Sequence, residues 1–213
     1  GRTEQEALRK VPPEVRSYGE WLEADQQVRE VSIVQRHRSS LMVEDADSEI
    51  LLEADKGRIG VEEFEKLNEL ARYSGQTFLR LWRGAQLKDW VDEARIRGTF
   101  YGQTPKTIGE TFAHVKGTQY YYLSRTGCSF DATKDEFMTI RDFCLQRLSE
   151  LFIVHGNSKL FELDNELWTL KKILRRFVWH DRIHGKAIVR MLEKQKRLGL
   201  VESYQDPFHF RIA

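Results

Sequence analysis

The stretch LKKILRRFVWHDRIHGKAIVRM, residues 170–191, decides how this chain is read. Its inward series runs Leu170, Ile173, Phe177, His180, His184, Ala187 and Met191, in alternating steps of three and four, the spacing of one helix face. Two histidines therefore stand where a packing face calls for hydrocarbon. Side chains four apart on a helix lie one above the other, so these imidazoles can reach a single ion at about 2.0–2.1 Å. A third donor must then come from another element.

The rest of the chain supplies three more helical segments. Asp164 is a candidate cap for the helix just quoted, which continues to about residue 197 before Gly199. Residues 132–154 form a second segment, with Phe137, Ile140, Cys144, Leu148 and Leu151 inward and Gly156 closing it. A third opens at QTPKTIGETF, where Thr104 can cap and Pro105 suits the first helical position, and ends near Gly127. The fourth spans residues 61–82, with Phe64, Leu67, Ala71, Phe78 and Leu81 near a heptad stripe, and a shorter helix is expected around residues 86–96. Four long amphipathic helices imply a four-helix bundle, so the fold expected is mainly α.

Ahead of them, residues 1–24 read as helical, with Thr3 and Glu6 as a capping box and Pro12–Pro13 breaking the run into two pieces. Between residues 29 and 55, short β-branched stretches among charged and Ser/Asp segments fit two or three strands. The expected division is an N-terminal α+β segment, residues 1–57, and a helical unit, residues 58–213. The tail LVESYQDPFHFRIA is aromatic-rich and is expected to pack back on the protein.

The partner for the histidine pair lies in GETFAHVKGTQYYYLSR, residues 109–125. Thr107, Glu110 or Thr111, His114, Thr118 and Tyr121 make a polar stripe that a dry core would penalise. His114 facing the helix of residues 170–191 would complete a three-imidazole site with positions left for water or substrate. A chance HxxxH pair, satisfied by packing or exposed, is the competing explanation. His37, His155 and His209 fall in loop or tail contexts. Asp181 follows His180 where the zincin motif has Glu, so no glutamate base is implied; it lies about 100° off the inward face and is expected at the surface or supporting a ligand.

Composition excludes some classes. Basic and acidic residues number 34 and 33, which gives no pull toward nucleic acid, and acidic residues interleave with Arg2, Arg9, Lys10 and Arg16. No apolar run approaches the ~20 residues of a membrane span, and no leader pattern opens the chain, so a cytoplasmic location is expected. The two cysteines, Cys128 and Cys144, are too far apart for a CxxC pair; Cys144 reads as core and Cys128 as a loop thiol.

On ETFAHVKGTQYYYLSR, on ELWTLKKILRRFVWHDRIHGKAI and on the helix order, residues 61–200 resemble the DinB/YfiT-like superfamily of metal-binding four-helix bundles. The resemblance implies a divalent metal (zinc, nickel and iron are not distinguished) held by His114, His180 and His184. It also implies transfer or use of a low-molecular-weight thiol such as bacillithiol or mycothiol toward a small electrophile, with Glu110, Tyr121 and Lys186 as candidate pocket residues. A homodimer is compatible with it, and the rival function is a non-enzymatic stress or interaction module with a structural ion. GRTEQEALRKVPPEVRSYGEWL at the N-terminus resembles the closing helix of a HicB-like module, whose usual form is GxTxEEAL.

Overall fold

The computed structural model describes residues 3–24, 28, 30–40, 50–99 and 102–211. Among them the chain is mainly helical: α1 (Glu4–Trp21), α2 (Val61–Gly84), α3 (Ile108–Ser124), α4 (Phe137–His155) and α5 (Leu170–Arg197), with two small antiparallel hairpins. One hairpin pairs β1 (Gly98–Thr99) with β2 (Gly102–Gln103), the other β3 (Phe161–Leu163) with β4 (Glu166–Trp168). No helix is long and apolar enough to cross a membrane among the described residues.

Helix α5 packs against α2 and α3, and α4 packs against the same two. Nearly every side of α5 is covered, because Leu170, Ile173, Leu174, Phe177, Ile188, Val189, Met191 and Leu192 are all buried. Its ends are set locally. Thr169 accepts from the Lys172 amide at the start, and at the end Gly199, at φ 70, lets Gly199 and Leu200 donate to the carbonyls of Lys196 and Gln195.

Several boundaries differ from those expected. Thr107, not Thr104, caps α3: its hydroxyl accepts from the Glu110 amide while the Glu110 carboxylate accepts from Lys106 N–H. Thr169, not Asp164, caps α5, because residues 161–168 are spent on the second hairpin. Its two-residue loop, Asp164 and Asn165, has both residues at positive φ, a conformation these short polar side chains tolerate. Around residues 86–96 there is a 3-10 turn at Glu93–Arg95 in place of a helix. Helix α1 runs unbroken through Pro12 and Pro13, whose missing N–H groups leave helix carbonyls for solvent along a largely exposed helix. Residues 30–40 and 50–52 form no strand; residues 41–49 lie outside the described residues.

The N- and C-terminal segments meet on the same core. Trp21 of α1 is buried, donates to Thr77 of α2 and lies against Phe208 of the tail. Phe208 in turn presses on α5 at Gly185, where a Cβ would stand 2.8 Å from the ring. Gly185→Ala is therefore expected to destabilise by about 1–2 kcal/mol, overpacking outweighing the ~1 kcal/mol of helix propensity gained, as read from the denaturation midpoint. Gly185→Ala leaving the midpoint unchanged or raised would show that the tail yields.

Candidate metal centre

His180 and His184 project from the middle of α5, and His114 from α3 directly opposite. Their nearest ring nitrogens all lie within 4.8 Å of one another, and Nε2 of His114 stands 3.1 Å from Nε2 of His180. Two nitrogens on one ion at ~2.0–2.1 Å stand about 2.9–3.4 Å apart for angles between octahedral and tetrahedral. The donor set fits a divalent ion of the imidazole-seeking kind, and the same short separation lets one neutral ring donate to the other when no ion is present. The ring centroids stand 4.3 Å apart for His180–His184 and 4.7 Å for His114–His184.

Burial grades across the cluster. His180 is 6% exposed, His184 is half-buried and His114 is open to solvent, so the group has a deep side and a wet side. Burial is also the first cause of depressed basicity at all three rings. It holds His180 well below the usual imidazole range, pushes His184 down to about 3 and lowers His114. Repulsion acts second, from the arginines and from a neighbouring ring whenever that ring is protonated: His184, His114, Arg176 and Arg141 at His180, and His114, Arg95 and Arg176 at His184. Three rings kept neutral near pH 7 have lone pairs to give a metal.

The deep side is built from aromatic and ionic contacts that the sequence did not announce. The Tyr122 ring meets His180 edge-on, with centroids 5.6 Å apart. Asp181 is wholly buried, where a surface position was one of its two expected settings. Its carboxylate accepts two bonds of 2.9 Å from Arg141 of α4, and Arg141 also donates to Gln119 of α3 and to the Ala71 carbonyl of α2. One guanidinium thus ties α4 to α2, α3 and α5, beside His180. A charge was legible at that position: Arg141 falls in register with Phe137, Leu145 and Leu148 on an otherwise apolar face.

The other sequence candidates have identified contacts of their own. Glu110 is engaged in the α3 cap, the Lys186 ammonium pairs with Glu14 of α1, and Tyr121 is exposed beneath the Arg125 guanidinium. Cys144 is buried, its thiol pushed up to about 12, and Cys128 is a half-buried loop thiol beside Thr126. Comparison with family models, with curated proteins and with solved structures finds no match to this chain.

Proposed function

We propose that the chain is a DinB/YfiT-like four-helix bundle, formed by α2 to α5, that holds a divalent metal on His114, His180 and His184. The proposed activity is a metal-dependent S-transfer from a low-molecular-weight thiol to a small electrophile. The observation that carries it is the convergence of three low-basicity imidazoles from two helices within 4.8 Å, one side of the group facing solvent.

Bound there, a divalent ion supplies the Lewis acidity that lets a coordinated thiol lose its proton near neutral pH. The chain does the rest. Three neutral ligands leave the full charge of the ion to act and leave coordination positions for exchange. His114, at the open edge, is where a ligand enters, while Tyr122 and the apolar wall behind His180 exclude water from the deep side. The Arg141–Asp181 clamp fixes the turn of α5 that presents His180. In the transfer, a sulfur–carbon bond forms, the bond to the leaving group breaks, and the thiol proton passes to solvent.

Metal analysis of the purified protein beside His180→Ala tests the site. The wild type is expected to retain about one ion per chain and the variant to lose affinity by at least ~100-fold, since even outer partners of metal ligands are worth 10–100-fold. Equal metal content in both would remove the reading. Transfer assays with bacillithiol, mycothiol and glutathione then test the chemistry. A loaded protein inactive with all three would favour an ion that ties α3 to α5 in a stress or interaction module.

A further inference from the structure

We propose that the cleft between α1, α2 and the back of α5 is a second binding site, for a small monocarboxylate with an apolar body, and that Arg182 receives the carboxylate. The site is separate from the metal centre and does not depend on the metal reading.

The cleft measures ≈ 560 Å³, inside the ~300–1,000 Å³ typical of small-molecule sites. Its apolar wall is Leu67 and Leu70 of α2 with Val178, Trp179 and Ile183 of α5. Leu67, Leu70 and Trp179 are only half-buried and Ile183 is 45% exposed, so among the described residues this hydrocarbon is left uncovered by the fold. At 3.6 residues per turn, Val178 and Arg182 lie about 160° round α5 from His180, so the cleft opens on the flank turned away from the imidazoles. From Arg182 back to Arg175 the wall runs about 10 Å along the helix, room for a medium-length acyl chain.

Charge selects the ligand's polar end. Four cations of α5 line the cleft, Lys171, Arg175, Arg182 and Lys186. Three of them meet carboxylates: Lys171 that of Glu63, Arg175 that of Asp55 and Lys186 that of Glu14. Arg182 has no carboxylate within ion-pair distance among the described residues. Its Nη2 donates to the Ser17 hydroxyl at 3.4 Å, and its buried Nη1 has no hydrogen-bond partner there. Asp206 of the tail, whose charge also acts on Arg182, is engaged by the Phe208 and Phe210 amides. The guanidinium carbon lies 4.8, 4.9 and 5.0 Å from the ring centroids of Tyr18, Trp21 and Phe210, which hold the group without using its in-plane donors. Four lining cations against three carboxylates leave one positive charge beside hydrocarbon, and a planar carboxylate on an apolar chain matches both.

Calorimetric titration with octanoate and with 1-octanol, which share the chain and differ in the charged group, tests the site. The wild type is expected to bind one octanoate, at least about tenfold more tightly than octanol, the worth of one good charge-assisted pair. Arg182→Gln should cut that preference below about twofold, and Arg182→Lys should keep part of it. Ile183→Glu, at a half-exposed position on the wall, should weaken octanoate by at least about tenfold. Chelator-treated protein and His180→Ala should bind octanoate as the wild type does, so failure of the metal reading leaves this site standing. Equal affinities for the two probes in the wild type, an undiminished preference in Arg182→Gln, or unaltered binding in Ile183→Glu would overturn the assignment. A requirement for metal would place the carboxylate on the ion and overturn it as well, and a dimer in solution that Ile183→Glu dissociates would give the cleft to a second copy of the chain instead. Should Arg182→Gln fail to fold, the wild-type comparison and Ile183→Glu still decide it.

Discussion

Asp181→Ala is expected to cost the folded protein about 3–5 kcal/mol, read as a fall in the denaturant midpoint at unchanged slope. The pair it breaks has 1% side-chain exposure on each partner, and both oxygens of the carboxylate accept from Arg141. Removing the carboxylate leaves a guanidinium buried among Phe137, Phe177 and the backbone of Ala71, with two donors unmatched. The site cannot relax by letting water in cheaply, because Arg141 is itself wholly buried beneath Gly75, whose absent side chain makes room for it. A whole domain of this kind is held by only ~5–15 kcal/mol, so one carboxylate commands a large share. Removing both charges, as in Arg141→Met with Asp181→Leu, should cost less than Asp181→Ala alone, since no charge is then stranded. A double variant less stable than the single one would show that the pair contributes attraction beyond its own desolvation.

The same clamp shows what the sequence yields and what it withholds. The helices were legible because their apolar periodicity survives interruption by a few polar residues, and the triad was legible because i and i+4 fix two rings on one side of α5. Cap positions were less so. Both Thr104 and Thr107 are good caps, and the choice fell to Thr107 because Glu110 completes its box, a signal present in TxxE spacing. Asp164 is also a good cap, but FELDNELW alternates apolar and polar residues around a two-residue turn, and the hairpin, with Phe161 and Trp168 buried, wins. Asp181 is the instructive case. One inward face was assumed for α5, whereas the helix is packed by α2 on one flank and α3 on another, so a residue 100° from the histidines is buried more deeply than they are. Which charges pair across helices depends on the rotation of each helix about its axis, and periodicity alone does not set that rotation.

Below about pH 6.5 the metal-free protein is expected to lose stability by on the order of 1.4 kcal/mol per pH unit for each of two imidazoles, His180 and His184. In the folded state burial, then the neighbouring histidines and arginines, hold His180 well below 6.5 and His184 near about 3. In the unfolded chain both titrate near the ordinary value, so as pH falls the unfolded state takes up protons that the folded state refuses, and unfolding gains. Above that value both states carry neutral rings and the slope vanishes; it ends again once pH reaches the folded-state values. Both rings act in the same direction as pH falls, and partial solvent contact at His184 reduces its share. His114 adds in the same direction. Urea denaturation of chelator-treated protein across this range, beside His180→Phe with His184→Leu, isolates the two rings from the carboxylates that also titrate. The double variant should show a shallower loss over the range, and an identical slope in both proteins would mean that the buried rings take up protons without unfolding. A divalent ion present at about a thousand times its dissociation constant should add roughly 4 kcal/mol at neutral pH. That increment should itself shrink on acidification, because the ion binds only the neutral rings and any proton that enters the site displaces it.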